Sequence, residues 1–161
     1  MNRKIRLAIL GASGKLGRSI VALALQTDGF QLVKTCTHKN SKYLGAAMAN
    51  GIPLTSDLLE GSFDLYIDAS LPTALPLHLE AACYLNRPIV IGCTGLTEDD
   101  KLRLQATSQA IPVFYAPNFS LGMALVNRFA SLAARWFPSR AKIELVETHH
   151  AHKKDAPSGS A

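Results

Sequence analysis

The sequence predicts an α/β fold in which helices cover both faces of a doubly wound, parallel sheet. Short apolar runs of strand length alternate with longer stretches of helical period, and this alternation implies crossover connections between parallel strands. A glycine-rich turn separates the first apolar run from the first helical stretch. Of the 161 residues, 48% are hydrophobic and 18% charged, as expected of a globular protein rather than a disordered one.

Five strands of this sheet are predicted from short apolar runs, and the helices between them from apolar periodicity and capping signals. The strands are expected at 5–10, 31–36, 65–68, 88–91 and 111–115. The helices are expected at 15–25 and 73–85, from Thr97 onward, and at 120–136. A sixth strand is expected at 143–149, whereas glycine and proline interrupt any long element within 40–62.

Charge and composition exclude several classes of protein. The 17 Lys and Arg residues outnumber 12 Asp and Glu residues, but they are scattered. They are better explained by attraction to a small anionic ligand than to nucleic acid. No apolar run is long enough to cross a membrane, the basic N-terminus lacks the apolar core of a signal peptide, and the three cysteines form no C-x-x-C pair. We therefore expect a cytoplasmic protein with no membrane partner.

The glycine-rich turn, Gly11-Ala12-Ser13-Gly14-Lys15-Leu16-Gly17, has the context of a dinucleotide site. Strand, tight glycine turn and helix N-terminus together let the backbone approach a pyrophosphate, as in Rossmann-like domains. The spacing is G-x-x-G-x-x-G rather than G-x-G-x-x-G, so a glycine-rich turn without a ligand stays open as an alternative. A P-loop is disfavoured, because Leu16 stands where Ser or Thr would hold magnesium.

The end of the second predicted strand bears on the choice of cofactor. A carboxylate at this position usually binds the adenosine ribose hydroxyl, but the segment reads Thr37-His38-Lys39-Asn40. Basic residues at the end of this strand suit a 2′-phosphate. We therefore predict that NADPH binds about tenfold more tightly than NADH, a difference of about 1.4 kcal/mol in binding free energy. The alternative is that His38 and Lys39 are merely solvated surface residues.

Three histidines, His149, His150 and His152, lie together near the end of the sequence and precede Lys153. Strand alternation would send His149 and His150 to opposite faces, which disfavours a metal site. An imidazole and an ammonium group four residues apart can instead supply protons to an anionic substrate and hold it. The hydroxyl-rich segment 158–160 could begin a helix whose amides bind a carboxylate.

At residues 147–161 the segment ETHHAHKKDAPSGSA resembles the signature of dihydrodipicolinate reductases, E-x-H-H-x-x-K-x-D-x-P-S-G-T/S-A. The glycine turn is similar to that family's G-A-x-G-(R/K)-M-G loop. GCTG at 92–95 and APNFS at 116–120 resemble two further family segments. The four motifs occur in the family's order along the whole chain.

The resemblance implies reduction of 4-hydroxy-tetrahydrodipicolinate to tetrahydrodipicolinate with NADPH or NADH, in the diaminopimelate route to lysine. By position, His149 and Lys153 would be the catalytic proton donors. His150, Gly159 and Ser160 would hold the carboxylates of a small dicarboxylate substrate, and no metal would be needed. The cofactor-binding residues would be Gly11, Ala12, Ser13, Gly14, Lys15, Leu16, His38, Gly92, Cys93, Thr94, Ala116, Pro117, Asn118 and Phe119. Of these, residues 92–94 and 116–119 would line the nicotinamide side.

The resemblance also implies a domain boundary and an assembly. Residues 1–120 would form the dinucleotide-binding domain, and residues 121–161 would begin an α+β domain for substrate binding and tetramer formation. The family continues beyond this signature, whereas this chain stops at Ala161. We therefore expect the 120–136 helix and the 143–149 strand to expose apolar faces, and this chain to bind dinucleotide weakly and turn over poorly. A dinucleotide-binding module without catalysis and a metal-dependent hydrolase are the alternatives.

Overall fold

The computed structural model describes residues 3–48, 51–137 and 142–149, and it confirms the predicted α/β class. A short 3₁₀ turn, Pro72–Ala74, precedes the second helix. In chain order the other elements are β1 (Ile5–Leu10), α1 (Lys15–Gln26), β2 (Phe30–Cys36), β3 (Leu54–Thr55), β4 (Leu65–Asp68), α2 (Leu75–Tyr84), β5 (Ile89–Ile91), α3 (Glu98–Thr107), β6 (Val113–Tyr115) and α4 (Leu121–Trp136).

The six strands form one sheet in the order β3-β2-β1-β4-β5-β6, and every neighbouring pair is parallel. The strands β2 and β3 are added on one side of β1. The chain then crosses to the other side of β1, where β4, β5 and β6 are added in turn. The order of winding therefore reverses between β1 and β4. In open α/β sheets a ligand site forms at the carboxyl ends of the strands beside such a reversal.

Both faces of the sheet are covered, as the doubly wound prediction requires. Alternate residues of β1 face opposite sides: Leu7 and Ile9 belong to one buried cluster, with Val21 of α1, and Ala8 and Leu10 to the other. The second cluster also contains residues of α2 and α3, namely Leu75, Leu79, Ala82 and Leu104. The fully buried β1 residues thus fix the start of the glycine turn between two packed layers.

Two elements differ from their sequence predictions. The strand β3 was not predicted, because two residues are too few to show a pattern. It exists because Leu54 and Thr55 pair with Thr35 and Cys36 of β2. The strand predicted at 143–149 is wrong: residues 142–149 are irregular. An alternating pattern forms a strand only where a neighbouring backbone completes the hydrogen-bond ladder, and none of the described residues does so.

The helix α4 forms where predicted, with the Ser120 hydroxyl accepting a hydrogen bond from the Met123 amide at 3.3 Å. Its apolar stripe is confirmed as exposed, since no residue of α4 is buried and Phe129 is 65% exposed. Ile143 and Val146 are exposed too. Within the described part of the chain, no helix is long and apolar enough to cross a membrane.

Candidate functional site

A pocket of about 710 Å³ lies at the carboxyl ends of β1, β2 and β4, where the winding of the sheet reverses. Four parts of the chain form its walls: the glycine turn after β1, the end of β2, the turn after β4 and the beginning of α2. Its volume lies within the range usual for small-molecule and cofactor sites. The residues that line it are Gly11, Ser13, Gly14, Lys15, Cys36, Thr37, His38, Lys39, Ser56, Leu58, Ala69, Ser70, Leu71, Thr73, Ala74, Leu77 and His78.

Two glycines allow the turn after β1 to pack closely against its neighbours. Gly11 has φ +72°, and a Cβ there would lie 2.7 Å from the carbonyl oxygen of Ala69. A Cβ on Gly17 would lie 2.2 Å from the carbonyl oxygen of Gly11 and 2.8 Å from the Cα of Ala12. The turn is therefore held between the turn after β4 and the first turn of α1. Only residues without a Cβ allow this spacing.

The N-terminus of α1 is open toward the pocket. Its N-cap is Gly14, which has no side chain to cap the helix, and no acidic residue lies in the first turn. In contrast, α3 has a complete capping box between Thr97 and Asp100 and three acidic residues in its first turn. The partial positive charge of α1 is therefore available to an anion, whereas that of α3 is balanced by its own side chains.

The end of β2 forms the basic side of the pocket. The Thr37 and Ser13 hydroxyl oxygens are 2.7 Å apart, which joins this strand to the glycine turn. The His38 Nδ1 accepts a hydrogen bond from the Asn40 amide at 3.1 Å. His38 and Lys39 both line the pocket, and no Asp or Glu is among the described residues that do.

The wall formed by the turn after β4 and by α2 was not predicted from the sequence. Asp68 ends β4 and is fully buried. One carboxylate oxygen accepts a hydrogen bond from the Ser70 amide at 2.9 Å, and the other lies 2.7 Å from the His78 Nδ1. An acid at the end of an apolar strand, with a histidine ten residues later on a helix, was the available signal. Only the sheet order shows that they meet.

The predicted nicotinamide-side segments after β5 and β6 are brought together. A Cβ on Gly92 would lie 2.6 Å from the Phe119 ring and 3.5 Å from the Leu16 side chain. Cys93 is buried with its Sγ 4.0 Å from the Ser70 Oγ, and burial raises its thiol pKa to about 12. This thiol is therefore a neutral packing group, turned toward the turn after β4.

The other residues named from the sequence occupy varied positions. Thr94 is exposed, Ala116 and Pro117 are half-buried, and Ala12 is buried beneath the glycine turn. The exposed Asn118 accepts a hydrogen bond from the Ser120 amide at 2.8 Å through its Oδ1. None of these residues, nor Leu16, Gly92, Cys93 or Phe119, lines the described pocket, whereas Gly11, Ser13, Gly14, Lys15 and His38 do.

The predicted proton donor His149 is solvent-exposed in the irregular segment after α4, where its Nε2 lies 3.2 Å from a Glu147 carboxylate oxygen. It does not line the described pocket. His150, Lys153, Gly159 and Ser160 lie outside the described residues. In the part of the chain that the structure describes, no three His, Cys, Asp or Glu side chains are grouped to hold a metal ion.

Comparisons with known proteins give consistent matches. The family model "Dihydrodipicolinate reductase, N-terminus" matches residues 5–119, and "Dihydrodipicolinate reductase, C-terminus" matches residues 122–161. A 4-hydroxy-tetrahydrodipicolinate reductase from Acinetobacter baumannii (strain AYE) is 38% identical over 170 residues, covering 100% of this chain and 62% of the relative. A 4-hydroxy-tetrahydrodipicolinate reductase from Burkholderia lata is 36% identical over 165 residues, covering 98% of this chain and 62% of the relative.

Among solved structures, a dipicolinate-bound dihydrodipicolinate reductase from Paenisporosarcina sp. TG-14 is similar, with a TM-score of 0.77 and 30% sequence identity. The match covers 98% of this chain and 63% of that one. This chain therefore spans 62% of the length of the curated relatives named above.

Proposed function

The chain belongs to the dihydrodipicolinate reductase family, and we propose that its protein reduces 4-hydroxy-tetrahydrodipicolinate to tetrahydrodipicolinate with a nicotinamide dinucleotide. The reaction would serve the diaminopimelate route to lysine. The substrate is a small dicarboxylate, and the solved relative from Paenisporosarcina carries dipicolinate. The observation that carries the proposal for this chain is the pocket at the winding reversal, with its uncapped helix and close-packed glycine turn.

The residues of this pocket suit a dinucleotide. The open N-terminus of α1 would receive the pyrophosphate, with Gly11 allowing the backbone to approach and Lys15 adding positive charge. Thr37 and His38, at the end of β2, would contact the adenosine ribose. When bound, the dinucleotide would supply the hydride, and the pocket residues would bind and orient it.

A pair of glycine variants tests this binding role. Gly11 and Gly45 have similar backbone angles, φ +72° and +80°, but only Gly11 would place a Cβ against another backbone segment. We expect Gly11→Ala to weaken NADPH binding at least about tenfold, or 1.4 kcal/mol, and Gly45→Ala to preserve it. Calorimetric titration of the folded variants provides the measurement. Equal affinities would show that the glycine turn does not hold the cofactor.

We also propose that NADPH binds better than NADH. His38 and Lys39 both lie on the pocket wall, and no described carboxylate there would repel a 2′-phosphate. One charge-assisted hydrogen bond contributes about 1.5–3 kcal/mol to binding. Solvent exposure weakens it, so we expect about 1.4 kcal/mol, which corresponds to the predicted tenfold preference. Lys39→Met should lower that preference, whereas Lys42→Met, outside the pocket, should not. Tighter binding of NADH by the parent chain would refute this proposal.

For the chemical step, we propose His149 as the proton donor and acceptor and Lys153 as the second proton donor. His150, Gly159 and Ser160 would hold the substrate carboxylates. These roles follow from the family signature, and residues 121–161 would begin the domain that supplies them. That boundary is supported by the two family models, which meet between residues 119 and 122. A homotetramer would be the assembly of the whole protein.

A second function, dinucleotide binding without catalysis, is favoured by one observation: His149 is exposed and does not line the described pocket. Steady-state reductase assays with His149→Gln and Lys153→Ala separate the two functions. Lost turnover with unchanged cofactor affinity supports the reductase. A parent chain that binds NADPH but gives no turnover supports the binding module.

A further inference from the structure

The imidazole of His78 is held in one orientation by the end of β4. Its Nδ1 lies 2.7 Å from a carboxylate oxygen of Asp68 and 3.3 Å from the Ser70 Oγ. The Asp68 carboxylate is itself fixed, because it is fully buried and also accepts the Ser70 amide. A carboxylate that accepts from one ring nitrogen sets the tautomer and directs the other nitrogen.

The opposite ring nitrogen, Nε2, has no hydrogen-bond partner among the described residues, although His78 is only 7% exposed. Among the described residues, every side-chain nitrogen or oxygen that is shielded from solvent has a hydrogen-bond partner. Since this Nε2 has no such partner, it must be accessible to solvent. Because His78 lines the pocket, we place that access on the pocket side. Polar atoms in such places usually have a protein or water partner, and Nε2 is therefore available to a ligand atom that enters the pocket.

His78 lies in the adenosine part of the pocket. The segments predicted for the nicotinamide, 92–94 and 116–119, do not line it. The glycine turn accounts for the pyrophosphate, and the end of β2 for the ribose. The remaining wall is mainly aliphatic and also contains His78 and three hydroxyl side chains. Its residues are Ser56, Leu58, Ala69, Ser70, Leu71, Thr73, Ala74, Leu77 and His78. A largely aliphatic wall that carries an imidazole suits a flat heteroaromatic base.

The chemistry of the exposed nitrogen identifies the group it would bind. Because Nδ1–H donates to Asp68, Nε2 of the neutral ring is a hydrogen-bond acceptor. The exocyclic amino group is the donor that adenine carries. Building on the dinucleotide binding proposed above, we propose that His78 is a base-specificity residue, whose Nε2 accepts a hydrogen bond from the adenine amino group.

A base analogue tests this contact directly. In the hypoxanthine analogue of NADPH a carbonyl oxygen replaces the amino group. Two hydrogen-bond acceptors, this oxygen and Nε2, would then face each other without a hydrogen bond. We expect the 161-residue chain to bind NADPH about fivefold more tightly than the analogue, the ratio that corresponds to one neutral hydrogen bond. His78→Phe keeps a ring of similar shape without nitrogen, and it should bind the two dinucleotides equally.

His38→Phe provides the matched control, since His38 faces the proposed ribose site. It should weaken both dinucleotides by the same factor and keep the fivefold ratio. Equal binding by the parent chain, or a ratio that persists in His78→Phe, would overturn the role of His78 while leaving the dinucleotide site in place. Failure of the parent chain to bind either dinucleotide would overturn the proposed function, and with it this inference.

Discussion

The contact between Gly17 and Gly11 makes a specific prediction about stability, because a single methyl group at Gly17 would enter space occupied by backbone. Gly17 is buried on α1. Its Cβ would lie 2.2 Å from the Gly11 carbonyl oxygen and 2.8 Å from the Ala12 Cα. Both atoms belong to the backbone of the glycine turn, which is fixed by the buried end of β1. Neither can move as a flexible side chain can.

The magnitude follows from two opposing effects. Alanine favours a helix over glycine by about 0.5–1 kcal/mol, so local propensity alone predicts that Gly17→Ala is stabilising. Ordinary contact begins near 3.4 Å, so the helix or the turn would have to shift by about 1 Å. Overpacking of this kind typically costs about 1–3 kcal/mol. Since the obstructing atoms are backbone, we expect the upper half of that range and a net loss of about 1–2.5 kcal/mol in unfolding free energy.

Urea denaturation followed by circular dichroism measures this difference. Gly122→Ala is the matched control, because it also lies in the first turn of a helix and its Cβ would meet only the Ser120 Oγ, at 3.6 Å. The control should be neutral or stabilising. If Gly17→Ala were as stable as the control, the close contact between α1 and the glycine turn would be wrong.

Three other predictions concern the surface and the thiols. Thr97→Ala should lower the unfolding free energy by about 1 kcal/mol by removing the capping box of α3, and unchanged urea unfolding would contradict this. Hydrogen bonds from Arg6 hold the pKa of Asp64 well below its usual range. Asp64→Asn should therefore lower the melting temperature at pH 7, with the difference shrinking as the pH falls below about 4; a constant difference would refute this. A thiol reagent should label exposed Cys83 first and the two buried cysteines only on unfolding; simultaneous labelling would contradict the fold.

Much of the fold could be predicted from local patterns. The strand at 65–68 was placed at its observed bounds, because four apolar-rich residues between polar segments leave few alternatives. The start of α3 followed from Thr97 and the acidic residues after it, which form the observed capping box. Such signals act between residues three or four positions apart, so they can be read without knowing the rest of the chain.

Part of the site was predictable for the same reason. The glycine turn is read from its spacing between a strand and a helix, and the basic residues after β2 from their position about 20 residues later. What failed was the strand at 143–149, because alternation cannot supply a neighbouring strand. Neither could the sequence show β3, whose two residues are a strand only through their pairing with β2.

The sequence by itself determined most of the strand and helix segments, the family and the glycine turn. Only the tertiary structure decided that β4 lies beside β1, which places Ala69 against Gly11 and directs His78 into the same pocket. These contacts join residues that are far apart in the chain. They depend on which strands become neighbours, and that choice is made by burying both faces of the sheet together rather than by any local pattern.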